Sequence, residues 1–215
     1  EDLVPMYRQD DSEGAWAAQH QEYHRSQTDP FLRDTHQRLV IHEGEDLSGN
    51  YHVRRYRPRI EGLFARIERW SKLGDPTDVH WRSLSRDNIL TVYGLDAASR
   101  IADPLDPSHI FSWLICETRD ATGNAILYRY KSEDGNGIET AKASERNRGP
   151  SEDPRRTANR YLKRIHYGNR QPLLDDTGQR PTFLNAVEID KQIKQGQWLF
   201  EVVFDYGEHF TPPPL

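Results

Sequence analysis

Hydrophobic and polar positions alternate along much of the chain, most clearly near its C-terminal end. From Trp198 to Tyr206, the side chains of Trp198, Phe200, Val202, Phe204 and Tyr206 fall on one face, and Glu201, Val203 and Asp205 on the other. A period of two is the signature of a β-strand. The heaviest pattern runs from Ile110 to Lys131, where two runs rich in aromatic and β-branched residues flank a short polar stretch, Asp120 to Asn124. Gly123 and Asn124 tolerate the positive φ that a tight reversal needs. The pattern predicts a large hairpin around which the fold is organised. Phe111, Trp113 and Ile115 share a face of its first arm, and Ile126, Tyr128 and Tyr130 share a face of its second.

Other strands are expected around this hairpin. Leu3, Val4 and Met6, broken by Pro5, suit an edge strand, because proline removes a ladder donor. Residues 10–50 change in composition. Ala15 to Arg25 is weakly helical, Leu39-Val40-Ile41 is strand-sized, and the rest has the character of a polar, partly helical surface insertion. Tyr51 to Pro58 reads as a basic strand. Leu63 to Trp70 alternates, with Leu63, Ala65 and Ile67 on one face, and Gly62, Gly74 and Pro76 favour a strand over a helix there. Val79 to Leu84 and Ile89 to Tyr93 form a second hairpin across Ser85-Arg86-Asp87-Asn88. Asp103 to Pro107 is a stiff turn. Tyr161 to Tyr167 is a strand with Tyr161, Ile165 and Tyr167 on one side. Two polar connections remain: Glu139 to Ala158, helix or loop, and Gln171 to Gly196. The connections are short, so the expected fold is mainly β: antiparallel hairpins in a curved sheet, with short helices in the insertions.

Composition narrows the reading. The 215 residues are 35% hydrophobic, a low share for a compact globule, and 29% charged. Thirteen prolines and fourteen glycines suit strands and turns. The formal net charge of −5 argues against nucleic-acid binding by bulk electrostatics. No apolar run approaches the roughly 20 residues of a membrane helix, so direct membrane insertion is not expected. The single cysteine, Cys116, lies in a strand run and reads as a small buried hydrophobe. It allows no internal disulfide, which fits folding in the cytosol. The chain starts at Glu1 and ends in Thr-Pro-Pro-Pro-Leu, and both ends look cut from something longer.

Several long motifs, in order, resemble the SpvB-type N-terminal region of bacterial toxins. They are Arg57-Pro-Arg-Ile-Glu-Gly-Leu-Phe-Ala-Arg-Ile-Glu-Arg-Trp70, His80-Trp-Arg-Ser-Leu-Ser-Arg-Asp-Asn88, Ser99-Arg-Ile-Ala-Asp-Pro104, Ile110-Phe-Ser-Trp-Leu-Ile-Cys-Glu117, Gly123-Asn-Ala-Ile126, Ala158-Asn-Arg-Tyr-Leu-Lys-Arg-Ile-His-Tyr-Gly-Asn169 and Phe200-Glu-Val-Val-Phe-Asp-Tyr-Gly-Glu-His209. The resemblance covers Tyr51 to His209 and divides the chain into residues 1–50 and an SpvB-type region, 51–215. It implies a piece of a hollow β-strand shell, completed by a β-propeller and Rhs/YD repeats, that encloses the toxic part of a C-type component. It further implies a secreted protein made in the bacterial cytoplasm. The separate ADP-ribosyltransferase domain that follows this region in the virulence-plasmid protein is not in this sequence. Arg119 to Tyr130 also resembles one YD-repeat unit, Asp-x-x-Gly-Asn followed by aromatics.

Candidate chemistry is sparse. His20 and His24, with Glu22 between them, have helical metal-ligand spacing but not the His-Glu-x-x-His order, and read as solvated. Glu43-Gly-Glu45 has the form of a transferase Glu-x-Glu pair, but lacks its accompanying motifs and reads as a turn. Asp134-Gly-Asn-Gly137 lacks the later carboxylates of a calcium loop. Arg54, Arg55, Arg57 and Arg59 make a basic strand face, solvated or sheet-paired, or turned to an acidic partner segment. Trp81, Trp113 and Trp198 suit core packing better than a sugar platform. No catalytic, cofactor-binding or metal residue is therefore assigned. The expected function is a non-enzymatic structural module carried by packing residues: Trp70, Trp81, Phe111, Trp113, Tyr128, Tyr130, Trp198 and Phe200. The alternative is an all-β carbohydrate- or receptor-binding module, and an enzyme such as an ADP-ribosyltransferase is the third reading.

Overall fold

The computed structural model describes residues 3–5, 41–42, 50–58, 60, 62, 64–135, 138–139, 141–150 and 152–207. Its strands are β1 (Leu3–Pro5), β2 (Ile41–His42), β3 (Tyr51–Pro58), β4 (Arg66–Lys72), β5 (Val79–Leu84) and β6 (Leu90–Tyr93), then β7 (Arg100–Asp103), β8 (Asp106–Trp113), β9 (Ile115–Arg119), β10 (Ala125–Ser132), β11 (Arg160–Asn169) and β12 (Trp198–Val203). Among the described residues, one α-helix, α1 (Ala186–Lys194), stands between β11 and β12. Ten strands form one open, curved antiparallel sheet in the order β1-β3-β4-β5-β6-β9-β10-β11-β12, with β2 beside β1 on the outer edge of β3. β7 and β8 form a separate two-stranded arm.

The mainly antiparallel β architecture is the one expected, and Leu3–Pro5 lies at the sheet's end. Four details differ, each for a local physical reason. The predicted first arm of the central hairpin is two strands. At Leu114 the N–H donates to Ser99 O at 2.8 Å, and its carbonyl accepts from Gly94 N at 2.8 Å. The backbone there leaves the arm and enters the main sheet, so Phe111 and Ile115 do not share one continuous face. The strand expected from Leu63 begins at Arg66, because Phe64 holds a left-handed φ of 49°. In β11 the pairing jumps from Arg164↔Arg129 to Leu162↔Tyr130, so Lys163 is extra. That bulge turns Tyr161 to the face opposite Ile165 and Tyr167.

The fourth difference is α1, inside what the sequence shows only as a polar connection. Asn185 caps it, its Oδ1 accepting from Val187 N at 3.1 Å and Glu188 N at 3.2 Å. Ile189 and Ile193 face the sheet. The other polar connection holds two 3-10 helices, Ala143–Arg148 and Pro154–Thr157. The weakly helical Ala15 to Arg25, with most of residues 10–50, lies outside the described residues.

Register gives the sheet two unlike faces. One carries the buried positions of β4, β5, β6, β9 and β10 and is covered by α1 and the segment before it. Its apolar core falls in two clusters: Ala125, Leu127, Leu173, Ile189 and Trp198, and Leu90, Val92 and Cys116. The opposite face carries Ile67, Trp81, Tyr93, Ile126, Tyr128 and Tyr167, half-buried or exposed.

Candidate functional site: a charged row beneath a cross-sheet strap

The covered face is not a continuous oil layer. Directly paired residues run across eight strands as Arg55, Glu68, Arg82, Val92, Glu117, Leu127, His166 and Glu201. Strand alternation places them on one face, and the ladder places them side by side. Glu68, Arg82, Glu117 and His166 are all buried. A buried charge needs a partner. The two carboxylates are met by neighbouring cations and an indole N–H, while Arg82 relies on His80 and ring stacking and leaves its Nη2 without a hydrogen bond. Glu68 Oε1 lies 3.0 Å from Arg66 Nε and 3.8 Å from Arg55 Nε. Its Oε2 accepts from Trp70 Nε1 at 3.1 Å. Glu117 Oε1 lies 3.0 Å from Arg119 Nη2.

Residues 172–184 form a strap laid over this row. Arg119 Nη1 donates to Pro181 O at 2.7 Å and Nη2 to Thr182 O at 3.3 Å. Phe183 lies 5.5 Å from the Tyr51 ring, 5.9 Å from Trp70 and 5.8 Å from His80. The Arg82 guanidinium is stacked between two rings, 3.8 Å from the Trp70 centroid and 4.4 Å from Phe183. Arg180 closes the strap's far end, donating to Asn88 O at 2.6 Å. At the near end Leu173 N donates to Gly123 O at 2.9 Å.

The titrating groups follow from this burial. His80, with no exposed surface, is pushed down to about 2 by desolvation, helped by the positive charges of Arg82 and Arg100. It is neutral, and its Nε2 accepts from Arg82 Nε at 3.2 Å, which leaves the ring proton on Nδ1. Desolvation lowers Arg82 to about 10 and raises Glu117, against the pull of Arg119. Cys116 is buried with Leu90 and Val92, and its thiol is pushed up to about 12, as expected of a small buried hydrophobe rather than a nucleophile. What this arrangement does is fix register. A slip of one residue would send Glu68, Arg82 and Glu117 to the wrong face and strand their partners.

The predicted packing residues divide. Trp70 and Trp198 are buried, and Trp81, Trp113, Tyr128 and Tyr130 are half-buried. Trp81 and Trp113 pack edge to face at 6.0 Å, Trp113 Nε1 donates to Val79 O at 2.8 Å, and Tyr130 Oη donates to Ile115 O at 2.8 Å. Two expectations are corrected. Phe111, at 89% exposed, stands on the bare side of the arm, because β8 leaves the main sheet. Phe200, at 53% exposed, lies on the edge strand, stacked only on Tyr167 at 5.0 Å. Trp198 turns from the Phe200 face into the cluster under α1, so the three tryptophans form no single platform. Arg54 is buried and Arg55 half-buried at Glu68; Arg59 lies outside the described residues, as do His20, Glu22, His24, Glu43 and Glu45. Asp134 pairs with Lys131 at 3.0 Å. Among the described residues no group of three or more His, Cys, Asp or Glu is arranged to hold a metal ion. Phe183 and Arg180 carry no mark in the sequence, and Arg119 enters it only as the start of the YD-like unit. Their signal was the charged residues at core-facing, period-two positions of β4, β5 and β9.

An open antiparallel sheet with one face sealed by a strap and the other half bare defines an all-antiparallel β module, and comparisons place it among toxin-associated proteins. The chain belongs to the family described as Salmonella virulence plasmid 65kDa B protein, whose model matches residues 1–215. The mono(ADP-ribosyl)transferase SpvB of Salmonella typhimurium is 34% identical over 169 residues, which are 77% of this chain and 25% of that protein. The same figures hold for the protein of that name from Salmonella dublin. The chain thus spans about a quarter of the length of the curated relatives it matches. Among solved structures, the N-terminal domain of effector protein SpvB from Salmonella typhimurium strain LT2 superposes with a TM-score of 0.58 at 33% identity, over 76% of this chain and 45% of that one. TcdB2-TccC3 gives 0.57 at 30% identity, over 75% of this chain and 7% of that one. The Photorhabdus luminescens Tc holotoxin pore gives 0.54 at 30%, over 74% and 6%.

Proposed function

We propose that this chain is a structural, non-enzymatic module of a secreted bacterial toxin, and that it forms part of a β-strand shell that encloses or positions a toxic effector. The observation that carries this reading is the open edge at β12. Leu199, Phe200, Val202 and Val203 are 52%, 53%, 39% and 40% exposed, so bare apolar side chains stand on both faces of this edge strand, with Glu201 the one charge among them. Such an edge recruits another strand unless it is covered, and further parts of the same toxin are the natural cover. Rhs/YD-repeat strands, a β-propeller and a C-type toxin component are the partners this reading requires. The resemblance to Tc components supports it. The relatives named as transferases match over only 25% of their length, which supports a role apart from catalysis.

Two measurements test the reading. Light scattering on the isolated chain should show oligomers or heavier species, and co-expression with the neighbouring toxin parts should convert them into one defined complex. A sharp monomeric peak would count against the open edge. An NAD-glycohydrolase assay on the isolated chain should give only background turnover; sustained hydrolysis would overturn the non-enzymatic assignment.

A further inference from the structure

The half-bare face holds a concavity of about 550 Å³, built on β4, β5 and β6 and on the β5–β6 turn, with Leu3 of β1 at its border. That volume lies within the roughly 300–1,000 Å³ of small-ligand clefts. Its wall is Trp81, paired across the ladder with Tyr93. Tyr56 at 4.9 Å and Trp113 at 6.0 Å hold the indole edge to face, so its orientation is set before any ligand arrives. Beside this wall runs a cross-strand row of Ile67, Ser83 and Thr91, which continues to Thr118, whose hydroxyl lies 3.5 Å from that of Thr91. Asp87, exposed on the turn, sets a carboxylate at the rim. Arg82 borders the concavity from its backbone side only, since its guanidinium stacks on the opposite face between Trp70 and Phe183.

Aromatic faces beside a line of hydroxyls match the two sides of a pyranose ring. The C–H face of the ring takes an indole or phenol, and its hydroxyls exchange hydrogen bonds with side-chain hydroxyls that act as donor or acceptor. The rim carboxylate of Asp87 disfavours an anionic sugar, and Arg69, the cross-strand partner of Trp81 on this face, is not among the residues that line the groove. We infer that this concavity is a binding site for a neutral saccharide, with Trp81 as the stacking wall and Ser83 and Thr91 as hydrogen-bonding partners. The site goes beyond the scaffold role and does not depend on it, because its stacking and hydroxyl groups, Trp81, Ser83 and Thr91, lie on two adjacent strands of one sheet.

Saturation-transfer NMR on the full-length chain tests the inference with lactose, maltose and N,N′-diacetylchitobiose at millimolar concentration, and N-acetylneuraminic acid as the charged control. At least one neutral disaccharide should show transfer to its ring protons. That transfer should be lost in Trp81→Leu and fall several-fold in the Ser83→Ala/Thr91→Val variant, whose hydroxyl losses leave the sheet's packing in place. Near-UV circular dichroism confirms that each variant is folded. Transfer to none of the three neutral probes overturns the inference. So does transfer that survives unchanged in either folded variant, or binding of N-acetylneuraminic acid in preference to the neutral sugars.

Discussion

Phe183 lies face-on to the guanidinium of Arg82, 4.4 Å from its carbon, although the two are 101 positions apart in sequence. The contact holds a strap segment with no regular secondary structure against the middle of a ten-stranded sheet. Replacing Phe183 with alanine removes one of the two rings that sandwich Arg82 and opens the box around His80. Phe183 is half-buried, so the expected loss is about 2 kcal/mol, below the cost of a fully buried phenylalanine. Urea unfolding followed by tryptophan emission measures it, and Phe183→Leu should recover about half. An unchanged midpoint in the alanine variant would show that the strap is held by its backbone contacts alone.

The pair Glu117 and Arg119 should behave as a unit. Arg119 is 1% exposed and Glu117 5%, at 3.0 Å. Arg119→Met leaves a buried carboxylate without its cation and frees the carbonyls of Pro181 and Thr182, at an expected cost of about 3–5 kcal/mol. Adding Glu117→Gln removes the stranded charge and should restore more than about 1 kcal/mol of that loss. A double-mutant cycle by chemical denaturation reads the coupling. Strict additivity would mean that the two side chains do not depend on each other.

Stability should decline as the solution is acidified from neutral. His80 is held down to about 2 in the fold, and desolvation also lowers His166. The unfolded chain takes up protons at these positions below about pH 6.5. It therefore binds more protons than the native state below that pH, and stability falls by up to about 1.4 kcal/mol per pH unit for each such group. Glu117, raised by burial, acts in the opposite sense and favours the fold on the acid side. His80→Gln keeps an acceptor for Arg82 without a titrating ring, so its stability should vary less between pH 6.5 and 4.5 than that of the parent. Thermal melts across that range compare the two, and parallel curves would remove His80 from the account.

Gly94 sets the root of the two-stranded arm. Its φ is +65°, and a Cβ added there would stand 2.4 Å from Trp113 Cδ1. Gly94→Ala therefore meets both left-handed strain and a steric clash, and should cost about 2 kcal/mol or more. It should also shift Trp113 off Trp81, seen as a change in near-UV circular dichroism. An unaltered spectrum would show that the arm does not depend on this seating.

The open edge gives the last expectation. Val202→Lys places a charge on an exposed, half-apolar edge strand, a device that blocks strand addition. The isolated chain should shift towards monomer in light scattering, while its unfolding free energy stays within about 0.5 kcal/mol of the parent.

How much of this was legible in the sequence depends on the range of the force involved. The strands at Tyr51–Pro58 and Val79–Leu84, and the turn at 85–88, follow from alternation and turn chemistry within a few residues, and the structure has them where the pattern put them. The split at Leu114 was hidden, because its cause is a pair of hydrogen bonds to Ser99 and Gly94, far along the chain. The helix Ala186–Lys194 carries too few apolar residues to signal itself and owes its place to Ile189 and Ile193 meeting Leu127 and Trp198. Residue spacing by itself determined that this is an antiparallel β protein with bulky residues on alternate positions. Only the tertiary structure decided which of the two faces is sealed. Alternation says that neighbouring residues point apart, but which set is covered depends on where the strap crosses, and Arg119 and Phe183 settle that by contacts spanning more than sixty residues.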